Sequence, residues 1–182
     1  MRSRSRPLAI AASLAVLLAA LVAWALLRVE RPDQAATSLE DRERRALPFR
    51  PGDAVGIAIA PRGSAEVRLE RAGPAWRLSP PGVEANAVAV EGLLEGLAGM
   101  RSRSTLPSGP GALAARGLDP PASRVTLTLR DGTRLSLDLG DENPFDRTRF
   151  GLRDGRILAV EGVPAAALDP ARDRLLAPPG GG

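Results

Sequence analysis

The chain has 182 residues with 25 Lys+Arg against 21 Asp+Glu, and it contains no His, no Cys and no Tyr. All its basic residues are Arg, so a hydroxyl nucleophile has neither His nor Lys to activate it, and thiolate chemistry, Cys-ligated zinc, disulfides and a lipobox are excluded with the cysteines. Arg2, Arg4, Arg6 and Arg28 flank one apolar run; with these set aside the remaining 21 Arg balance the 21 Asp and Glu, and a neutral body lacks the basic face that nucleic acid requires.

Residues 8–27, "LAIAASLAVLLAALVAWALL", carry no charge, Gly or Pro. At ~1.5 Å per residue such a helix spans the hydrocarbon core of a bilayer. Its ten Leu, Ile and Val residues favour insertion by about 0.3–0.6 kcal/mol each. Arg2, Arg4 and Arg6 keep the basic segment 1–7 cytoplasmic, which sends the body outside. The expectation is a single-pass signal anchor in the inner (cell) membrane. The alternative is a cleaved signal peptide, for which "AWA" at Ala23–Ala25 would be the processing site. Either route places the main domain in the periplasm or otherwise outside the cytoplasm.

Residues 28–52 read as a polar juxtamembrane linker, with a short helix over 38–45 and with Pro48 and Pro51 marking the way into the domain. The domain itself is expected over 53–170 and a disordered tail over 171–182. "AVGIAIAP" (54–61) is a strand candidate. "AEVRLERAG" (65–73) alternates, with Val67 and Leu69 on one side, and "AWRLS" (75–79) puts Trp76 and Leu78 on one face. Tight connections between these three predict an antiparallel meander.

"NAVAVEGLLEGLAGM" (86–100) predicts a helix capped by Asn86, with Val90, Leu93, Leu94 and Leu97 as its buried stripe. Gly92, Gly96 and Gly99 cost helix propensity, which suggests close approach to another element, most simply the sheet. "RSRSTL" (101–106) follows as a strand, "PSGPG" (107–111) as a loop and "ALAARGLD" (112–119) as a helical turn stopped by Gly117. A hairpin comes next. Val125, Leu127 and Leu129 face one way, and Leu135, Leu137 and Leu139 do so beyond Asp131-Gly132, a dipeptide that suits a type I′ turn. "TRFGLRDGRILAV" (148–160) repeats the device at Asp154-Gly155, and "VPAAALD" (163–169) is a short helix. The fold class is therefore α+β: an anchor, then an antiparallel sheet of short strands and hairpins with one main covering helix. The two halves share a loose order of hairpin, strand and helix, which leaves internal duplication open.

The string "WRL.P" (76–80), the Asn-capped "AVEGLLEGLAGM", "RGLDPP" (116–121), "VTLTLRDG" and "LDLGDENP" resembles the domain-of-unknown-function 4340 family over about residues 53–170. The most specific parts are "GLDPP" and the hairpin ending in "LGD". The resemblance implies a bacterial, membrane-anchored protein associated with ABC-type transport or gliding-motility systems. It supplies no catalytic residue.

Candidate sites are few. Asp138, Asp141, Glu142 and Asp146, helped by Asn143 and Gly140, could offer oxygen ligands to Ca²⁺, but the spacing lacks an EF-hand pattern and a polar loop neutralised by Arg147 and Arg149 explains it better. "SGPGALAARG" (108–117) is Gly-rich ahead of a helical turn yet fits no phosphate-binding fingerprint. Ser104 and Ser108 have no base to serve them. "GLDPP" has a structural explanation: Gly117 supplies a positive φ, Leu118 docks on the core and the prolines stiffen the way into the strand. No catalytic, cofactor-binding or metal residue is assigned, and no cofactor. The partners expected are the membrane and membrane proteins, with no nucleic acid. The function expected is that of a non-enzymatic accessory subunit of a membrane assembly; the alternative is a binding module for an envelope polymer or small ligand.

Overall fold

The computed structural model describes residues 44–80, 82–170 and 172–176. The apolar run at 8–27, the cleavage site and most of the expected linker lie outside them. Among the described residues no helix is long and apolar enough to cross a membrane.

Among the described residues nine strands form one antiparallel sheet: β1 Ala54–Pro61, β2 Val67–Ala72, β3 Ala75–Ser79, β4 Val83–Glu84, β5 Arg101–Leu106, β6 Ser123–Leu129, β7 Arg134–Glu142, β8 Arg149–Arg153 and β9 Arg156–Glu161. Their spatial order is β4-β3-β2-β1-β6-β7-β8-β9-β5. Two four-stranded meanders thus meet along β1 and β6, with Ile57 opposite Leu127 and Ile59 opposite Val125. The first meander is followed by helix α1, Ala87–Gly99, and the second by a 3-10 turn at Ala165–Ala167 and a short helix α2, Arg172–Leu175. The fold is more strongly β than the α+β expectation, since among the described residues α1 is the one substantial helix.

Alternation decides which face each strand buries. Ile57, Ile59, Leu69, Leu78, Trp76, Val125, Leu127, Leu137, Leu139, Leu158 and Val160 form one core with Val90, Leu93, Leu94 and Leu97 of α1, the stripe expected from the sequence. Asn86 caps α1, its Oδ1 accepting from the Ala89 N–H at 3.2 Å. The three helix glycines do not behave alike. A Cβ at Gly92 or Gly99 would meet nothing, whereas at Gly96 it would lie 3.2 Å from Pro164 Cβ. Close approach therefore concerns Gly96 alone, and its neighbour is the loop after β9 rather than the sheet.

The core extends beyond the expected ends of the domain. Ala46, Leu47 and Phe49 belong to it, and so does Leu175. The Ala46 N–H donates to Met100 O at 3.0 Å, the Asn86 N–H to Leu175 O at 2.8 Å, and Arg153 Nη1 to the carbonyls of Arg45 and Ala46. Three apolar residues scattered among charges and prolines give no periodic signal, so the sequence reads them as linker.

The two Asp-Gly turns differ. Asp154 and Gly155 both have positive φ between the paired Arg153 and Arg156, as a two-residue type I′ turn needs. In the other, only Gly132 is positive, at 85°. The Gly132 N–H donates to Leu129 O and the Leu129 N–H to Thr133 O. This is a three-residue loop with glycine at the left-handed position, and Asp131 Oδ1 accepts from the Thr133 N–H instead of joining the turn at positive φ. The register is unaffected, with Leu127 opposite Leu135 and Val125 opposite Leu137.

Candidate functional site

Among the described residues the sheet's second face is covered only in part. Ile157 and Ala159 alternate with Leu158 and Val160 and are buried away from the main core, together with Leu118. The long connection between β5 and β6 lies against β7 and β8. Its 3-10 turn, Ala114–Arg116, ends at Gly117, whose φ is 63°. The Arg116 guanidinium stacks over Phe150 of β8, 5.6 Å from the ring centre. Leu118 thus docks as expected, but on the face opposite α1.

Here "GLDPP" and "LGD" come together. A Cβ at Gly140 would overlap the Arg116 carbonyl oxygen and lie 3.0 Å from Leu118 Cγ. A Cβ at Gly117 would overlap the Asp141 carboxylate. Each motif leaves room for the other. Arg62, just past β1, closes the junction: its Nε donates to Pro121 O at 3.1 Å, and its Nη2 to Gly117 O at 3.1 Å and also to Pro120 O. The Asp119–Pro120 peptide bond within it is cis.

The four expected acids do not converge, and among the described residues no group of three or more His, Cys, Asp or Glu could hold a metal ion. Asp138 pairs with Arg124 across β6 and β7, with N–O distances of 2.5 and 2.9 Å. This doubly bonded pair raises the Arg124 pKa through the hydrogen bond and then the charge of Asp138. Glu142 lies 3.6 Å from Arg147 and 3.9 Å from Arg149. Asp141 sits against Gly117, at the junction. Asp146 accepts from the Thr148 hydroxyl at 2.8 Å and its N–H at 3.0 Å, and these two bonds hold its carboxyl below the usual range, the hydroxyl bond contributing most. Ser104 and Ser108 are exposed. The Gly-rich segment 108–117 ends in the three-residue 3-10 turn.

Three surface features remain. The other half of the second face is an open groove of about 580 Å³, lined by small or polar residues such as Gly56, Ala58, Thr126 and Thr128, and by the charged Arg68, Glu70 and Arg134. Arg103, Ser104 and Thr105 of β5 are exposed, and Arg45 bridges Arg101 at the start of that strand. The β7–β8 loop holds Phe145 94% exposed.

The model of the family described as Domain of unknown function (DUF4340) matches residues 76–177, more than half of the chain. The chain belongs to this family. The DUF4340 match opens at Trp76 and takes in α1, both glycine motifs of the junction and the whole second meander, while Arg62 and the strands β1 and β2, expected within the resemblance, precede it. Those two strands nonetheless belong to the same sheet as the matched strands. No curated protein and no solved structure matches the chain.

Sequence reasoning passed over Arg62 and Phe145. Arg62 carried no signal, being one Arg among many in a turn. Phe145 carried one, since a large apolar residue inside the turn-forming string Asn-Pro-Phe-Asp has no strand or helix face to occupy.

Proposed function

We propose that this protein is a single-pass, membrane-anchored accessory subunit whose domain lies outside the cytoplasm and serves a membrane assembly of the ABC-type transport or gliding kind without catalysing a reaction. The observation that carries this reading is the junction. The family's two most distinctive motifs are spent on seating each other: Gly140 receives the Arg116–Leu118 segment and Gly117 receives Asp141. The neighbouring carboxylates are engaged one by one with Arg or Thr partners rather than gathered around a reacting atom. A central hairpin with fixed register, flanked by strands on both sides, suits a rigid scaffold that presents a surface. The uncharged run at 8–27 and the three Arg before it support the anchor and its orientation.

The test is purification of the full-length chain from native membranes in mild detergent. The expected result is the same membrane-protein partner in independent preparations. Recovery of the chain alone each time would contradict the proposal.

The groove over Gly56, Ala58, Thr126 and Thr128 favours a second reading, a binding module for an envelope polymer or small ligand. Saturable binding that Thr128→Arg abolishes would favour it over the first.

A further inference from the structure

The anchored reading proposed above leaves open whether the domain itself touches the bilayer, and Phe145 bears on this. Its side chain is 94% exposed in the β7–β8 loop. Among the described residues the other large apolar side chains left exposed are Val83 and Val88. They belong to β4, at the opposite edge of the sheet from β5, and to the first turn of α1.

The register fixes which end of the sheet carries the loop. Glu142 of β7 lies opposite Arg149 of β8, Arg149 opposite Val160 of β9, and Val160 opposite Ser102 of β5. Arg45 bridges Arg101, one residue before Ser102. The loop at 143–148 therefore leaves the sheet at the end where the described chain begins. Only residues 28–43 separate that beginning from the apolar run. At ~3.3–3.6 Å per residue they span about 55 Å at most, so an anchored chain keeps a bilayer at high effective concentration around this end.

Size decides between a protein and a bilayer as the occupant. A specific protein interface takes about 800 Å² from each partner and has an apolar centre. The loop neighbours of Phe145 are Asn143, Pro144, Asp146 and Arg147, which supply no such centre. A lone ring suffices for insertion at the boundary between headgroups and acyl chains. The surrounding charges permit it. Glu142 lies 3.6 Å from Arg147 and 3.9 Å from Arg149, and Arg103 lies 3.9 Å from Asp146 and 3.7 Å from Glu161. Every acid around the ring thus has an Arg beside it, and no bare carboxylate faces lipid phosphates. The Arg147 side chain is 90% exposed, so its stem can follow the ring while the guanidinium stays among the headgroups. The loop is also ordered in advance. The Asn143 N–H donates to Thr148 O at 2.6 Å, the Arg147 N–H to Asn143 O at 3.0 Å, and the Phe145 N–H to Asn143 Oδ1 at 3.2 Å. A fixed loop has already met the ordering cost that a flexible one would meet on insertion.

We propose that Phe145 is a membrane-contacting tip. Its ring inserts at headgroup level into the leaflet that faces the domain and gives the domain a second point of attachment in addition to the anchor. Because the charges around the ring are balanced, uncharged insertion drives the contact, and zwitterionic lipid is enough.

The experiment uses the full-length chain with Trp24→Phe, reconstituted in phosphatidylcholine vesicles whose acyl chains are brominated near the headgroups. Trp76 is 2% exposed and supplies a constant background. The tryptophan added by Phe145→Trp is expected to be quenched, and the one added by Val88→Trp, the control, to be unquenched. The native ring is tested separately. The chain has no cysteine, so Pro144→Cys accepts a single nitroxide, whose collisions with nickel-chelating headgroups report proximity to the bilayer. Phe145→Ser is expected to lower the collision rate by about tenfold. Its melting temperature should stay unchanged, because the ring touches little of the fold. No quenching at 145, equal quenching at 88, or an unchanged collision rate in Phe145→Ser would each overturn the proposal. So would benzoylphenylalanine at Phe145 in native membranes that captures protein and no lipid. In all these cases a chain that stays in the vesicles leaves the anchored reading standing, whereas a chain that never enters them contradicts both.

Discussion

Replacing Gly140 and Gly117 by Ala, each with and without Asp141→Ala, separates main-chain from side-chain contributions at the junction. At Gly140 the new Cβ would overlap the carbonyl oxygen of Arg116. That oxygen belongs to a backbone tied down by the Gly117 N–H donating to Ala114 O at 3.1 Å and the Leu118 N–H donating to Leu113 O at 2.9 Å. Relief requires moving either β7 or the turn, so Gly140→Ala is expected near the upper end of the ~1–3 kcal/mol typical of overpacking. At Gly117 two costs add. A φ of 63° disfavours Ala by about 1 kcal/mol, and the Cβ overlaps the Asp141 carboxylate. Asp141 is an exposed residue whose carboxylate can rotate away, so Asp141→Ala should bring the cost of Gly117→Ala down to about 1 kcal/mol. The same replacement should leave the cost of Gly140→Ala unchanged. Urea unfolding of the full-length chain in mild detergent, followed by Trp76 fluorescence in a Trp24→Phe background, reads these differences at constant m-value. Trp76 is 2% exposed and reports loss of the core. A Gly140→Ala cost below ~0.5 kcal/mol, the usual effect of a neutral surface change, or equal rescue of both glycine variants by Asp141→Ala, would show that the 116–118 segment is not seated on β7.

Gly92→Ala should stabilise the protein by about 0.5–1 kcal/mol, since the position is helical with open space around it, while Gly96→Ala should gain nothing because Pro164 stands 3.2 Å from the new Cβ; thermal melts of the two variants side by side check this. Arg62→Ala removes three donated hydrogen bonds from the carbonyls of Gly117, Pro120 and Pro121. Water can replace them at this exposed site, so a loss of only about 1 kcal/mol is expected in urea, and a loss several times larger would refute that solvent access. Asp146 has its pKa lowered in the fold, so its bonds to Thr148 stabilise the native state above the ordinary carboxylate pKa and are lost as pH falls through the lowered value. Thr148→Val removes the dominant hydroxyl bond, and a carboxyl-detected NMR titration should show the Asp146 pKa moving up toward the unperturbed range; an unmoved value would assign the shift to another cause.

The strands and the helix were legible because each follows one rule. Val67 and Leu69 alternate with charges, Val125 to Leu129 and Leu135 to Leu139 alternate around a glycine turn, and α1 carries a cap and a stripe. Their arrangement was not legible. Nothing local in "RSRSTL" says that β5 travels past the second meander to pair with β9, or that β1 pairs with β6 over 60 residues away. Turn type also escaped, because Asp-Gly serves both a two-residue and a three-residue loop, and the choice depends on whether Asp131 stays right-handed and bonds Thr133. The candidate site was half legible. The string "GLDPP" read correctly as a backbone device at Gly117, but its counterpart Gly140 lies across the sheet surface, a contact no sequence period encodes. The acidic residues looked like a cluster along the chain because strand alternation and the separate Arg partners that divide them are three-dimensional facts.

The proposed function requires residues 8–27 to hold the domain outside the cytoplasm, on the surface of the membrane. Protease accessibility in spheroplasts, combined with alkaline extraction of the membranes, tests it most directly. The full-length chain is expected to stay in the extracted membrane pellet, and external protease is expected to degrade the domain in intact spheroplasts. A chain released into the soluble fraction, or a domain protected until the spheroplasts are lysed, would contradict it.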